Sequence, residues 1–468
     1  MNTGTLKGLL QKLSSFGLET LELFKPRQRQ DFTASIHSLC QTLLGLRGEA
    51  AAIAVAEEII HSYEAASTSE KVAFFTFLHD GLAADNAGVA AAIADYQKTP
   101  TQAALQKLAA ACESPRLELL RLLNSAPGGT MALISLREDL LKLDIAEAVR
   151  SVLDAEFVQL FVAWFNRGFL QLRRIDWQTP ALILEKLIEY ESVHEIKGWP
   201  DLRRRLQQDR RCFGFFHPAI PDVPLIFVEV ALTHGISSNI RELLSPATQS
   251  TDSSDSNYNT AVFYSINNCL YGLRGISFGN FLIKQVVEDL GLSNPQIRHF
   301  VTLSPVPGFM KWLGSKPECL GSCTPAELEA VKLLLQGPPK ESVLRFHPLL
   351  SQLLPRLCAH YLLHAKSRNK PLDAVARFHL GNGARLERIN WLADTSPNGL
   401  QQSAGLMVNY IYDKEHLAKN HEAYQQRNEI IAASAVRKLV ELRPSLKESL
   451  VPTVSGSKST TTVTKDAR

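Results

Sequence analysis

The sequence changes character once, near Trp164, and that break limits the folds open to the chain more than any single motif does. Residues 1–165 are rich in Ala, Leu, Glu and Lys and poor in strand-like runs, with apolar side chains at helix spacing in 32–46 and 117–123. The pattern predicts a helical bundle. Ser67-Thr68-Ser69-Glu70, placed ahead of Val72, Phe74, Phe75 and Leu78, reads as a capping box that opens a helix, and Gly128-Gly129 separates two more. His61 and His79 stand alone in this half, which offers no cluster of titratable groups. Beyond residue 170 come β-branched and aromatic runs at 225–232, 261–266 and 300–303, interleaved with a helical pattern at 281–290. They predict a mixed α+β domain. Residues 245–259 form a polar Ser/Thr/Asp loop, and 451–468 a Ser/Thr-rich tail with no means of packing, expected to be disordered. The division expected is therefore 1–165 helical, 166–450 mixed, and 451–468 tail.

At 468 residues the chain can bury a large core, and 50 basic against 47 acidic side chains leave a net charge of +3. That balance calls for neither nucleic acid nor a membrane surface, so any anion must be met locally. The seven cysteines are scattered and contain no C-x-x-C pair, which reads as reduced thiols in a cytosol-like compartment. Cys319 and Cys323 could form a redox or metal element, or simply sit in a loop around Gly321-Ser322. No apolar run reaches the roughly 18 residues of a membrane span. Residues 1–30 could form an amphipathic helix, but Glu19 and Glu22 argue against a mitochondrial transit peptide.

Chemistry concentrates after the break. In Leu303-Ser304-Pro305-Val306-Pro307-Gly308-Phe309 the two prolines lack backbone N–H groups and push Ser304 and Val306 towards extended backbone. The elbow offers the Ser304 hydroxyl as its natural donor; read structurally, it only begins a turn. His379, in Phe378-His379-Leu380-Gly381-Asn382-Gly383-Ala384, is expected at the end of a strand, facing a cleft, where an imidazole titrating near about 6.5 exchanges protons at neutral pH. Arg274-Gly275-Ile276-Ser277-Phe278-Gly279-Asn280 lies between a strand and a helix, where glycines and first-turn N–H groups could cradle a phosphate or merely cap the helix. Arg203, Arg204, Arg205, Arg210 and Arg211 read as a solvated helix face or a peripheral phosphate site, and Glu229 as a strand carboxylate that is either paired or near a site.

Together these segments resemble the malonyl-CoA decarboxylase family. The resemblance runs through Gly168-Phe169-Leu170, Arg173-Arg174-Ile175-Asp176-Trp177, Ile236-Ser237-Ser238-Asn239-Ile240, Phe263-Tyr264-Ser265-Ile266, the Ser304 and His379 motifs, and Arg388-Ile389-Asn390-Trp391-Leu392-Ala393-Asp394. It implies an all-helical bundle domain used in assembly, followed by a mixed α/β catalytic domain like the GNAT acyltransferases. It also implies a CoA-thioester loop at Arg274–Asn280 (Arg274, Gly275, Ile276, Ser277, Phe278, Gly279, Asn280), a catalytic pair of Ser304 and His379 that also contacts the substrate, no metal and no cofactor beyond the CoA of the substrate. Malonyl-CoA and acetyl-CoA are the expected small-molecule partners, in a homo-oligomer with a tetramer among the sizes allowed, in the cytoplasm or alternatively the mitochondrial matrix. A GNAT-type acetyltransferase or a non-catalytic acyl-CoA-binding protein are the competing readings.

Overall fold

The computed structural model describes residues 32–245, 258–276, 282–315 and 317–441. The expectations for residues 1–30, for Ser277–Asn280, for most of the 245–259 loop and for the 451–468 tail lie outside them.

The first half is helical throughout: α1 (Phe32–Gly45), α2 (Glu49–Glu64), α3 (Thr68–Asp80), α4 (Asn86–Lys98), α5 (Gln102–Cys112), α6 (Pro115–Asn124), α7 (Gly129–Lys142) and α8 (Glu147–Trp164). Local signals set the ends. Ser67 accepts from the Glu70 amide while the Glu70 carboxylate reaches back to the Ser67 amide, the capping box read from sequence. Gly128, at φ +75°, makes the left-handed break between α6 and α7. Side chains three and four apart, such as Ile36, Leu39 and Leu43 on α1 or Phe157, Leu160 and Phe161 on α8, face inward.

The second half is built on β1 (Gln171–Ile175), β2 (Arg210–Phe216), β3 (Ile226–Thr233), β4 (Thr260–Asn268), β5 (His299–Thr302), β6 (Ser304–Pro305), β9 (Arg385–Asn390) and β10 (Met407–Ile411), with β7 (Lys366–Ser367) and β8 (Lys370–Pro371) as a separate pair. The sheet order is β1-β2-β3-β4-β5-β10-β6, with β9 on β10. All pairings are antiparallel except β4 with β5, which run parallel. That parallel pair needs a crossover, and α12 (Leu282–Ser293) lies in it. Two further helices matter below: α10 (Trp199–Arg205), which carries a buried arginine, and α17 (Ala374–Gly381), which lines the site. One continuous apolar core joins the halves, from Ile36 and Phe161 through Phe227 and Phe263 to Tyr412 and Val436.

The arginine cluster is not a solvated helix face. Arg205, on α10, is 2% exposed and its Nη1 lies 2.6 Å from Glu229 Oε2 on β3. Arg204 and Arg210 both close on Asp209, at 2.8 and 2.6 Å, leaving Arg203 outward over the Trp177 ring. The alternation of carboxylates with arginines across 201–229 makes pairs that a charge run alone does not reveal. Glu229 is thus a paired strand carboxylate; burial pushes it up to about 7 against the pull of Arg205.

Candidate active site

Parallel pairing of β4 with β5 ends at Phe263 opposite Thr302, where the Leu303 amide donates to the Phe263 carbonyl. Beyond it the strands part. β4 continues to Asn268, whereas the other chain enters β6 and pairs with Met407 and Val408 of β10. A bulge adds to the divergence: Glu229 opposes Ser265 and Val230 opposes Phe263, leaving Tyr264 as the extra residue. The gap is a cavity of about 280 Å³ between Phe263, Tyr264, Ser265 and Ile266 on one side and Ser304 and Pro305 on the other. Val193, Ile226, Val228 and Asn268, with Leu282 and Ile283 of α12 and Ala374, Val375, Phe378 and His379 of α17, complete it. Among the described residues that line it there is no Lys, Arg, Asp or Glu.

Ser304 is 5% exposed. The elbow is not a free loop at this residue, because Ser304-Pro305 forms a two-residue strand on β10 before the chain turns at Gly308 into a helix at Phe309. Proline is tolerated there because its missing N–H costs an edge strand nothing. The hydroxyl donates to Thr302 Oγ1 at 2.8 Å and lies 3.0 Å from His379 Nε2. Thr302 Oγ1 in turn accepts from the Tyr410 amide at 3.1 Å.

His379 is not at a strand end. It lies in the last turn of α17, a helix whose N-terminus is capped by Asp373 through the Ala376 amide. The Gly381-Asn382-Gly383 run is the break after that helix, with Gly383 at φ +87°, and not the turn after a strand. The imidazole is 2% exposed, lies over the Tyr410 ring at 4.7 Å, and places Nδ1 2.8 Å from the Tyr412 hydroxyl. Since Ser304 donates to Thr302, the geometry puts the single ring proton on Nε2, towards Ser304, with Nδ1 accepting from Tyr412. Burial lowers the imidazole to about 3, so it is neutral, and raises the Tyr412 phenol well above its ordinary value. The result is a chain of four groups, Thr302, Ser304, His379 and Tyr412, drawn from β5, β6, α17 and the end of β10.

Sequence reading paired Ser304 with His379, and the fold brings them together; it missed Thr302 and Tyr412. Their signal is faint: Thr302 lies two residues before Ser304, and Tyr412 belongs to the strand-like run Val408-Asn409-Tyr410-Ile411-Tyr412. Other conspicuous motifs turn out to brace the site. Asn409 donates to the carbonyls of Thr302 and Ser237 and accepts from Arg388 and Asn390, tying three distant segments to the strand that carries Thr302.

Of the predicted loop, Arg274, Gly275 and Ile276 are described. Gly275 stands at φ +82°, and Arg274 donates to the Tyr271 hydroxyl at 3.2 Å. Among the described residues no group of three or more His, Cys, Asp or Glu has metal-binding proximity, and no helix is long and apolar enough to cross a membrane. Cys319 and Cys323 are free thiols, half-buried at a helical turn.

A mixed-sheet domain with a buried serine–histidine pair opening on a strand gap, behind a helical domain, defines the class to which the chain is compared. Residues 168–450 match the sequence profile of the malonyl-CoA decarboxylase C-terminal domain, and 82–165 that of the N-terminal domain. The mitochondrial malonyl-CoA decarboxylase of Anser anser anser is 39% identical over 345 residues, covering 69% of this chain and 68% of that one; that of Mus musculus is 37% identical over 336 residues, covering 67% and 68%. Among solved structures, malonyl-CoA decarboxylase from Rhodopseudomonas palustris superposes with a TM-score of 0.82 at 47% identity, covering 87% of this chain and 99% of that one. The protein from Agrobacterium vitis gives 0.80 at 47% identity, covering 86% and 99%. The chain belongs to the malonyl-CoA decarboxylase family, whose members are carboxy-lyases.

Proposed function

We propose that the protein converts malonyl-CoA to acetyl-CoA and CO2 in the cavity between β4 and β6. The observation that carries this is the combination found there: a proton-bearing Ser304–His379 pair in a lining whose described residues hold no cation. A carboxylate meant to be kept asks for an arginine; one meant to leave as CO2 loses its charge, and desolvation against Phe263, Ile266 and Val375 favours that loss. The bond between carboxylate and α-carbon breaks, its electron pair moves into the thioester carbonyl to give an enolate, and CO2 departs. One proton on the α-carbon then completes acetyl-CoA, the net uptake being a single proton from solvent.

His379 and Ser304 act together in that protonation, one supplying the proton and the other relaying it or orienting the malonyl group. Tyr412 holds Nδ1 so that Nε2–H faces Ser304. The thioester itself is the electron sink, so these residues need only move a proton. Arg274–Asn280 is read as the loop that takes the phosphates of CoA at the start of α12. The parallel β4–β5 pair, whose strands part beyond Phe263, supports the GNAT-like reading of residues 166–450, with 1–165 as the assembly domain of a homo-oligomer. A cytoplasmic location is proposed, the mitochondrial names of the relatives supporting the matrix as the alternative.

Incubation of the purified protein with malonyl-CoA alone tests the reading. Stoichiometric acetyl-CoA and CO2 are expected, and consumption that depends on an added acceptor amine would replace it with acyl transfer.

A further inference from the structure

Ser304 and His379 stand on separate elements, and one buried carboxylate faces both. Asp373, 2% exposed, opens α17: its Oδ1 accepts from the Ala376 amide at 2.8 Å and fixes the first turn of the helix whose last turn holds His379. Oδ2 faces the elbow that follows Ser304. It accepts from the hydroxyl of Tyr361, on the helix Leu350–His364, at 3.4 Å, and it stands 3.7 Å from where a Cβ on Gly308 would lie. That Cβ would run into the Tyr361 hydroxyl, so glycine is what lets the elbow close on this pair of side chains. Burial raises the Asp373 carboxyl, and the amides of Ala376, Gly308 and Val375 pull against it, donors drawn from both elements.

We infer that Asp373 is a positioning residue for the Ser304–His379 pair, one carboxylate that ties the helix carrying His379 to the elbow carrying Ser304 and so sets the 3.0 Å between their side chains. The inference rests on reading that pair as the groups that move the proton. Both connections are stiff. α17 is a single short helix held at its first turn by Asp373, and the path from Gly308 back to Ser304 contains Pro305 and Pro307, whose φ angles are fixed. A shift at either anchor is therefore passed on to the pair. Asp373 itself does not line the cavity, although Ala374 and Val375 beside it do, so it acts through the two residues it places and not on the substrate. Proton transfer between positioned groups falls off steeply when they are misplaced by even about 1 Å.

The test compares full-length Asp373→Ser, Tyr361→Phe and His379→Asn, and the double variant Asp373→Ser/His379→Asn, with the parent protein, measuring kcat and KM for malonyl-CoA per folded molecule. Serine caps a helix as well as aspartate does but is too short to reach the elbow. Asp373→Ser is expected to lower kcat by about 10- to 100-fold with KM within about twofold. In the His379→Asn background the same change should cost nothing further, because the pair it serves is already broken. Tyr361→Phe removes only the hydroxyl against Gly308 and Oδ2, carries the test if the serine variant does not fold, and should lower kcat by about threefold. An unchanged kcat per folded molecule with a lower melting temperature, or an equal fall with and without His379, would make Asp373 merely structural and overturn the inference. If His379→Asn itself turns over at the parent rate, the reading of the pair is wrong; if it loses turnover while Asp373→Ser and Tyr361→Phe keep it, only the positioning role fails.

Discussion

Replacing Tyr412 by Phe isolates one link of the chain around His379. Tyr412 is 2% exposed, and its ring packs against Phe263 at 6.3 Å, contacts that phenylalanine keeps. What is lost is the hydroxyl 2.8 Å from Nδ1. A buried acceptor left without its donor costs about 1–3 kcal/mol. Felt wholly in the transition state, that is roughly a 5- to 160-fold fall in kcat. The tautomer also loses its reason to keep the proton on Nε2, so the loss should fall on kcat and not on KM. Acetyl-CoA formation at saturating malonyl-CoA is the assay, with the thermal midpoint as a check on folding. An unchanged kcat in a folded variant would refute the role given to Tyr412, and a rise confined to KM would move Tyr412 to substrate binding. The same geometry fixes the pH response. With the imidazole at about 3, against about 6.5 in the unfolded chain, the parent rate should show no inflection from His379 near 6.5. Between those two values the unfolded chain binds a proton at this position that the folded one does not. Stability therefore rises with pH across that window and is lost on acidification.

His379→Asn is expected to keep CoA binding while lowering turnover by about 10²–10⁴, and near-native rates would remove it from the chemistry. Ser304→Ala should lower kcat with a smaller effect on binding; a serine that matters only for structure would lower the melting temperature at constant activity per folded molecule. Arg205→Met should destabilise the protein by about 3–5 kcal/mol well above pH 7, because Glu229 loses its cation and must either stay charged, buried and unpaired or take up a proton. Without Arg205 the carboxyl holds its proton to higher pH than the value of about 7 it has beside the guanidinium, so the deficit should grow as pH rises above about 7 and level off below it; a pH-independent loss in denaturant titrations would contradict the account.

Local physics was legible where it was local. The capping box at Ser67 and Glu70, the glycine break at Gly128, and the apolar runs that became β3, β4 and β5 each carry their cause within a few residues. The meeting of Ser304 with His379 was anticipated from the kinds of residue present and from the family resemblance, not from spacing, since 75 positions separate them. His379 was placed on the wrong element because Gly-Asn-Gly punctuates a helix end as readily as a strand end, and the deciding residue, the Asp373 cap, lies before the motif and not within it. Tyr412 was invisible because β10 reaches the site only by inserting between β5 and β6, a non-local pairing that no window of sequence contains. The arginine cluster misled in part for a related reason: Glu229, the partner of Arg205, lies on β3, and charge counting along the chain does not see that pairing.

The uncharged lining of the strand gap has a consequence for flux. Acetyl-CoA differs from malonyl-CoA only where the carboxylate was, and there it sets a methyl against Phe263, Ile266 and Val375, a better match than the group it replaces. The acyl end therefore gives the pocket no means of expelling product, and the CoA handle is common to both thioesters. On the proposed reading, accumulating acetyl-CoA occupies the same seat as the substrate, and throughput follows the ratio of the two thioesters instead of the malonyl-CoA level alone. A protein of this design would slow itself as its product backs up, without any separate regulatory site.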